Sequence, residues 1–585
     1  MSPGAMREVV ESVVIAFVLA FLFRTFEAEA FVIPTGSMAT TLMGRHKDVF
    51  CPQCGYPYQV SASGEIDPRD NTRFDNDVVS GTCPMCRFTM DLAPDNPKGE
   101  KYPSFSGDRI LVGKFPYQFT DPDRWDVAVF RYPGGATTNY IKRVIGLPGE
   151  TIRIRHGDIW VRGPNQDRFT IARKPPEKIR AVLQPVYDND YVLPKLIEQG
   201  WPARWAAEPG DGTVGVWTTS DHRSFQTDGS GLGEVWIRYR HIVPSASDWE
   251  LLQAGSAPPA ESIRPQLVSD YSAYNAERIL PRYARGARRG REVPLDEFGF
   301  PFDPDHGLGA SAWSTAPEPQ NLGLHWVGDL AVECTMEVRK QQGAAVLELI
   351  KGGRAFRCTL DLTEGTATLS ISGLDGFQPK TAKVISKPGV YQLMLANVDH
   401  QLTLWVNGRA VAFDGSTAYE PLDNELPQPA DLAPVGIGAR GAALRVSHLK
   451  VFRDIYYIAQ RLVPGSRMHG PITDFDYASF PYHPFSAQRV AEFLSAPPQW
   501  AEVFSQRRDC DFPLGPDQFF VLGDNSAESK DSRLWEGDGF EFYVKRELLI
   551  GKALFIYWPH SWNKIPYLGI PFPLFPNFAR MGFVR

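Results

Sequence analysis

The chain has 585 residues, which is enough for several hydrophobic cores, so two to four domains are expected. Hydrophobic residues make up 43% and charged residues 22% of the sequence, which excludes an intrinsically disordered chain. The formal net charge of −7 indicates no basic surface, so nucleic acid is not expected as a partner. Because 49 prolines and 51 glycines suit short strands joined by turns, we expect a mostly β protein.

The apolar segment 9–26 is the first predicted element. Its centre, residues 13–23, carries no polar side chain, and the whole segment approaches the roughly 20 residues that a helix needs to cross a bilayer. Hydropathy alone leaves two other interpretations open, a cleaved signal peptide and a buried amphipathic helix. Arg7 and the α-amine favour a cytoplasmic N-terminus. No later stretch is apolar enough to span, so everything after Arg24 is expected on one side of a membrane.

Predicted strands and turns divide the rest of the chain into blocks. The pattern at 105–162 predicts consecutive short strands closed by Pro-Gly and His-Gly-Asp turns, as in an antiparallel sheet. Strands with a two-residue period recur at 330–451, a pattern typical of a β-sandwich. The predicted blocks are 27–48, a cysteine-bearing insert at 49–92, the strands at 104–163, an irregular insert at 164–320, the sandwich at 321–455 and a final block at 508–585.

Four short motifs carry the chemistry, although they lie far apart in the chain. They are PTGSM at 34–38, GDRILVGK at 107–114, YIKRVIGLPGE at 140–150 and GDNSAESKDSR at 523–533. Taken singly, such a serine is more often a turn residue and such a lysine a solvated surface charge. Together and in this order, the motifs resemble the conserved boxes of bacterial type I signal peptidases of the serine–lysine class.

The chemistry explains why a serine and a lysine are needed together. A serine hydroxyl becomes a good nucleophile when a neighbouring base removes its proton. Lysine is a base only when neutral, and burial among apolar groups lowers its pKa from about 10.4 by up to 3–5 units. Lys142 follows Ile141 and precedes Val144 in an apolar strand, which permits such burial. We therefore interpret Ser37 as the nucleophile and Lys142 as the general base.

The resemblance implies roles for further residues. Ser529 would hydrogen-bond the amine of Lys142, and Thr35 would supply its hydroxyl to an oxyanion hole together with the backbone N–H of Ser37. Asp531 and Arg533 would form a structural ion pair. Small apolar substrate pockets would be lined by Ile33, Pro34, Met38, Leu42, Tyr140 and Ile141.

Two positions depart from the family pattern. Thr40 stands where the family usually has proline, which loosens the turn after the nucleophile. Thr35 replaces the more familiar serine but keeps the hydroxyl. Neither change removes a group that the mechanism requires.

The resemblance also implies a function and a location. It predicts a signal-peptidase-type antiparallel β catalytic domain behind an uncleaved transmembrane helix at 9–26. The enzyme would be a membrane-bound serine endopeptidase that removes signal peptides from exported preproteins after small residues of A-x-A type, without a catalytic cofactor. It would cross the cytoplasmic membrane once, with its N-terminus inside and its catalytic domain on the extracytoplasmic face. The alternative is a membrane-tethered glycan- or protein-binding module on an inactive peptidase scaffold.

The insert at 49–92 contains two Cys-x-x-Cys pairs. Cys51 and Cys54 form the first pair, and Cys83 and Cys86 form the second. This spacing lets four thiolates surround one structural zinc, as in a zinc ribbon. Disulfides are the alternative, because thiols oxidise outside the cytoplasm.

The sandwich at 321–455 resembles a laminin-G or concanavalin-like jelly roll, on the phrase VYQLMLANVDHQLTLWVNGRAVAF at 390–413. Tryptophan-rich segments at 201–249 are candidates for its first strands. Such domains bind many ligands, so a cell-envelope glycan, a docking protein or a spacer role all stay open. Because every motif lies outside 164–507, we expect this large insert to be dispensable for chemistry.

Overall fold

The computed structural model describes residues 10, 12–15, 28–67, 72–74, 76–208, 216–230, 233–275, 278–281, 319–381, 383–465, 472–476, 486–564 and 570–585. The predicted anchor at 9–26 lies largely outside these residues. Among the residues described, no helix combines the length and the apolar character needed to cross a bilayer.

An eight-stranded antiparallel sheet holds the catalytic motifs, and we call it the catalytic sheet. Its strands come from residues 28–146 and 518–583, so it forms only when distant segments meet. In spatial order the strands are Ala28–Val32, Arg109–Gly113, Leu549–Trp558, Val127–Tyr132, Gly135–Gly146, Gln518–Leu522 and Val544–Lys545, with Gly582–Phe583 paired to Leu549–Trp558.

A four-stranded sheet marks where the large insert leaves and returns. Thr170–Ile171 lies at one edge and Cys510–Pro513 at the other, with Asp158–Arg162 and Thr151–Arg155 between them. Phe512 and Ile152 are fully buried in the core beneath this sheet. We use "the insert" for residues 164–507, which are connected to the catalytic part through this sheet.

Two seven-stranded antiparallel sheets form a sandwich within the insert. The first contains Gln184–Asp188, Leu444–Arg453, Leu330–Val338, Gly389–Val398, Gln401–Val406, Arg409–Ala410 and Phe225–Thr227. The second contains Trp205–Ala207, Glu234–Tyr239, Val435–Arg440, Ala344–Lys351, Arg354–Asp361, Thr366–Ile371 and Lys380–Thr381. Buried side chains of both sheets share one core. The region 164–320 contributes strands to each sheet.

Two hairpins form the cysteine-bearing ribbon, which we define as residues 46–92. The first is His46–Phe50 with Pro57–Ser61, and the second is Asn76–Thr82 with Thr89–Asp91. Arg278–Pro281 of the insert pairs with the second hairpin, so the ribbon and the insert share a sheet. Trp562–Lys564 pairs with Pro571–Phe575 near the C-terminus.

The helices are short, in keeping with the mostly β fold predicted from composition, which is confirmed. The α-helices are Pro116–Phe119, Pro176–Val182, Pro194–Glu198, Ala246–Gln253, Ala487–Leu494 and Pro497–Phe504. The 3₁₀ turns are Gly36–Met38, Ser63–Glu65, Asn189–Tyr191, Ala260–Ser262, Ala273–Asn275, Pro319–Leu322, Pro429–Leu432, Ser526–Glu528, Trp535–Asp538 and Arg546–Leu548.

Candidate active site

Ser37 lies in a single 3₁₀ turn, Gly36–Met38, which we call the nucleophile turn. The loop that carries the turn is closed at its base, where the N–H of Arg45 donates to the carbonyl of Pro34 at 3.2 Å. The Ser37 carbonyl accepts a hydrogen bond from the N–H of Asn525 at 3.2 Å. The nucleophile is thereby tied to the C-terminal motif, far away in sequence.

Lys142 reaches Ser37 from the strand Gly135–Gly146. Its Nζ lies 2.6 Å from the Oγ of Ser37 and donates to the carbonyl of Ile141 at 3.1 Å. The strand register sets Lys142 opposite Ala128, whose small side chain leaves room for the lysine stem. Burial lowers the pKa of Lys142 to about 8, against the opposing influence of the Asp531 and Asp524 carboxylates. A neutral amine in contact with the hydroxyl is the arrangement that a general base requires.

Arg143, the next residue, points to the other face of the strand but is buried rather than solvated. Its Nε and Nη2 donate to the two carboxylate oxygens of Asp524 at 2.7 and 2.6 Å. The hydroxyl of Thr41 donates to the same carboxylate at 2.6 Å. The role of Asp524 was not predicted from sequence. The signals for it were a Lys-Arg pair inside an apolar strand and a Gly-Asp-Asn triplet. The pair fixes the Lys142 strand to the C-terminal motif.

Asp531 and Arg533 form the ion pair that the resemblance implied. The guanidinium donates from Nε and Nη2 to the carboxylate at 2.8 and 2.9 Å, and both side chains are fully buried. Asp531 also accepts the N–H of Gly523 at 3.1 Å. A side chain at Gly523 would collide with the Ser37 carbonyl, so glycine permits the close approach of the two loops.

The predicted hydrogen bond between Ser529 and Lys142 is wrong in this structure. The Ser529 hydroxyl is buried and has no hydrogen-bond partner among the described residues. The reason is that Lys142 directs its donors to Ser37 and Ile141 instead. Ser529 nevertheless lies beside the site, since its Oγ and the Ser37 carbonyl both border Gly523.

The six residues predicted to line substrate pockets differ in exposure. Met38 and Leu42 have no exposed surface and pack in an apolar cluster beneath the nucleophile turn. Ile33 and Ile141 belong to the same cluster. The other two are more accessible: Pro34 is exposed, and Tyr140 is half-buried.

Thr35 directly precedes the nucleophile turn. Its backbone is extended, and its side chain makes no capping hydrogen bond to the turn. The first N–H groups of any 3₁₀ turn have no acceptor within the turn, and Ser37 lies in this position. The Thr35 hydroxyl therefore makes no capping hydrogen bond to the turn that carries the N–H of Ser37.

The four ribbon cysteines converge on one point. Their sulfurs lie within 4.8 Å of one another, with 3.5 Å between Cys51 and Cys86 and 3.6 Å between Cys54 and Cys83. Four thiolates at about 2.3 Å from a tetrahedral zinc would lie about 3.8 Å apart, whereas a disulfide needs about 2.05 Å. The cluster therefore fits a structural zinc.

The two cysteine pairs share one backbone design. Each first cysteine accepts the N–H of the residue four positions later, Gly55 in one pair and Arg87 in the other, both at 2.9 Å. Gly55 and Arg87 also both have positive φ, 77° and 61°. Matched turns of this kind aim both sulfurs of a pair at one centre.

Comparison with known proteins places similarity on two blocks that hold three of the four motifs, whereas PTGSM at 34–38 lies outside them. The family model "Signal peptidase, peptidase S26" matches residues 97–195 and 481–558. Signal peptidase I of Pseudomonas aeruginosa is 47% identical over 70 residues, 10% of this chain and 25% of that protein. The probable signal peptidase I-2 of Synechocystis is 32% identical over 91 residues, 15% and 41%. Signal peptidase I of Leptolyngbya laminosa is 30% identical over 132 residues, 18% and 64%.

Solved structures match the molecule only weakly. The carbohydrate-binding module CBM66 of Bacillus subtilis is 13% identical with a TM-score of 0.17, covering 21% of this chain and 74% of that one. Galectin LEC-6 of Caenorhabditis elegans is 11% identical with a TM-score of 0.16, covering 21% and 83%. These scores are too low to show a shared fold. The chain spans only a quarter to about two thirds of the length of the signal peptidases named above, and over those blocks the comparisons support a serine-type signal peptidase.

Proposed function

We propose that this chain is a membrane-anchored signal peptidase that works through a Ser37–Lys142 dyad. The observation that carries the proposal is the 2.6 Å approach of the Lys142 Nζ to the Ser37 Oγ in a buried site. Similarity to signal peptidase I over the motif-bearing blocks supports the same reaction class.

The reaction follows from the two side chains. Neutral Lys142 takes the Ser37 proton while the Oγ attacks the carbonyl carbon of the scissile peptide bond. The ammonium so formed then gives this proton to the departing amine, which leaves an acyl-enzyme. A water molecule, deprotonated by the same amine, attacks the ester and releases the signal peptide, which restores Ser37.

The negative charge that develops on the scissile oxygen needs donors. The N–H of Ser37 and the hydroxyl of Thr35 are the proposed oxyanion hole, supported by the capping-free side chain of Thr35. Removing one such donor typically raises a barrier by roughly 3–4 kcal/mol. Pro34, Ile33, Tyr140 and Ile141 are the proposed contacts for the small side chains before the cut.

Secretory preproteins are the proposed substrates, and the segment 9–26 is the proposed anchor in the cytoplasmic membrane. The N-terminus would lie inside and the catalytic sheet on the extracytoplasmic face. A short connection joins the anchor to the strand Ala28–Val32 that leads to Ser37. Because so few residues separate them, the site would stay close to the bilayer surface, where the cleavage site of a signal peptide emerges.

Two accessory modules complete the proposal. The ribbon would hold one structural zinc through Cys51, Cys54, Cys83 and Cys86, with no open position for catalysis. The sandwich is proposed as a laminin-G-like module facing a glycan or protein of the cell envelope.

Cleavage of a preprotein with an A-x-A site by the wild type and by Lys142→Ala tests the central proposal. We expect processing by the wild type alone, at the bond after the second small residue. A wild type that binds the preprotein but leaves it intact would favour the alternative, a binding module on an inactive scaffold.

A further inference from the structure

A segment of the insert crosses the loop that carries the nucleophile. The 3₁₀ turn Ala273–Asn275 lies far from every catalytic motif in sequence, and all three of its residues are buried. Asn275 and Asn525 exchange hydrogen bonds between their side-chain amides, at 2.7 and 2.8 Å. The insert therefore contacts the C-terminal motif next to Ser37.

Asn525 is also hydrogen-bonded to the nucleophile turn. Its Nδ2 has two hydrogens: one bonds Asn275, and the other bonds the carbonyl of Gly36 at 2.9 Å. Its backbone N–H bonds the carbonyl of Ser37 at 3.2 Å. If the Asn525 amide turned over, its oxygen would face the Gly36 carbonyl, and two acceptors would meet. The reciprocal bonds with Asn275 hold Asn525 in the orientation in which its Nδ2 donates to the Gly36 carbonyl.

Tyr274 presses on the same turn from above. A side-chain carbon added at Gly36 would lie 2.4 Å from its ring, so the ring is in direct contact with the residue before Ser37. The Tyr274 hydroxyl donates to the carbonyl of Arg45 at 3.2 Å, at the base of the nucleophile loop. The ring also packs with Ala39 and Met43, which follow the nucleophile.

We propose that Tyr274 and Asn275 are positioning residues for the peptidase reaction, supplied by the insert to fix Ser37 relative to Lys142. This inference rests on the proposed function. Asn525 lies within the block 481–558 that matches the signal peptidase family model, whereas Tyr274 and Asn275 lie outside both matched blocks. In this chain the insert is part of the active-site wall.

Steady-state kinetics of the full-length membrane protein on a peptide that spans an A-x-A site tests the inference. For Asn275→Ala and Tyr274→Ala we expect kcat to fall on the order of 10- to 100-fold with KM within about twofold, because small displacements of a nucleophile cost this much. Asn275→Asp should lose activity as well, since an ionised carboxylate accepts from Asn525 but cannot donate to it. Tyr274→Phe keeps the ring contact with Gly36 and should lose less than Tyr274→Ala.

Asn189→Ala is the matched control. Asn189 is another buried asparagine of the insert, and its Nδ2 donates to the carbonyl of His222 at 2.7 Å, within the sandwich. We expect this variant to lower the melting temperature as much as Asn275→Ala does while leaving kcat unchanged. Equal kcat for wild type, Asn275→Ala and Asn189→Ala would overturn the inference, and so would a rise in kcat for Tyr274→Ala.

A double-mutant cycle separates positioning from general destabilisation. If Asn275 acts through Asn525, Asn275→Ala/Asn525→Ala should be no slower than Asn525→Ala alone. Multiplying losses in kcat would show that the two residues act independently and would sink the inference. The pH at which kcat/KM reaches half its plateau should stay that of the wild type, because Lys142 is untouched. A wild type without peptidase activity would instead contradict the proposed function.

Discussion

Lys142 has to be buried to act as a base, and the same burial makes it costly to the fold. Exclusion from water lowers the pKa of its amine. The amine keeps two hydrogen-bond partners, Ser37 and Ile141. A group placed in this way serves the reaction at the expense of stability. Two measurements on one residue therefore test the catalytic and the energetic sides of the proposal.

The pH dependence of activity follows from the pKa of Lys142, which is about 8. Below this pH the amine holds a proton and cannot accept the one from Ser37, so kcat/KM should rise with pH and level off above about 8. Ser37→Ala and Lys142→Ala should each lose nearly all turnover at every pH, because nucleophile and base act as a unit. Circular dichroism serves as the folding control. Appreciable turnover by purified Lys142→Ala would contradict the dyad.

The stability of the wild type should depend on pH in a way that is absent from a variant without the amine. The unfolded lysine binds its proton up to about pH 10.5, whereas the folded one releases it above about 8. Across this window the wild type gains stability as the pH rises. Lys142→Met should therefore unfold at a higher urea concentration than the wild type at pH 7. The difference in the free energy of unfolding should be on the order of 3 kcal/mol and should close towards pH 10. Lys530→Met, at an exposed position, should show no such trend.

At the residue scale, the motifs predict the side chains that the reaction requires. They do not predict the contacts that form only when distant loops pack together. The motif order predicts that Ser37 meets Lys142 and that Asp531 pairs with Arg533, and both contacts are present, while the catalytic roles stay predictions. The buried partner of Arg143 and the orientation of Ser529 depend on how two loops meet after folding. No spacing in the sequence encodes that meeting.

At the scale of elements, the two cysteine hairpins share the large core of the sandwich, since Cys51, Cys83 and Cys86 belong to its apolar cluster. Each pair sits at the turn of its own hairpin, and the turns are matched in hydrogen bonding. Outside contacts complete the ribbon: the indole N–H of Trp249 donates to the carbonyl of Cys86 at 2.8 Å, and Arg204 donates to that of Met85 at 2.7 Å.

We expect purified protein to contain about one zinc per chain. Cys51→Ser and Cys83→Ser should lose it, and because metal binding is also folding free energy, these variants should be cut by protease between residues 45 and 105. Cys510→Ser lies outside the cluster and should keep its zinc. Metal-free protein in which these four thiols resist alkylation until reduced would show that the pairs are disulfides instead.

The elements that were predicted correctly are the ones with strong periodicity. The strands Val127–Tyr132, Gly135–Gly146, Thr151–Arg155 and Asp158–Arg162 follow their β-branched runs. Strands of the sandwich such as Trp205–Ala207 and Phe225–Thr227 are only three residues long. A strand so short has no readable period, and it exists because it pairs with a longer neighbour.

For the whole molecule, two contacts bear on the predicted independence of the insert. The motifs alone predict that residues 164–507 are dispensable for chemistry, because all the motifs lie outside them. In the structure the carbonyl of Ile458 accepts from the Arg533 guanidinium at 3.1 Å, and Asn275 holds Asn525. A short linker in place of the insert would remove both contacts, so the activity of such a variant on a short peptide tests that prediction.

Lys174 is one of the joints between the two parts. Its Nζ donates to Asp399 and Asp454 of the sandwich at 2.8 and 2.7 Å and lies 4.9 Å from the ring centre of Trp125 in the catalytic part. Lys174→Met would leave two buried carboxylates without their cation, which typically costs about 3–5 kcal/mol. We expect a clear loss in the urea midpoint at pH 8.

The same joint predicts how that loss varies with pH. Burial raises the pKa of Asp454 to about 6 even with Lys174 present. Below this value the carboxyl takes up a proton and no longer needs a cation, so the loss in Lys174→Met should be smaller at pH 5 than at pH 8. Lys530→Met removes an exposed ion pair and should change the midpoint little at either pH. An equal loss at both values would mean that Lys174 acts by packing and not by charge.

The ion pair between Arg143 and Asp524 has a consequence for biosynthesis. The two residues are 381 positions apart. At about 5–20 residues per second, a ribosome needs roughly 20 to 80 s to proceed from one to the other. During that interval the nucleophile and its base have emerged, but the loop that anchors them has not been made. On the proposed function, the nascent chain should therefore be inert as a peptidase until late in its own synthesis.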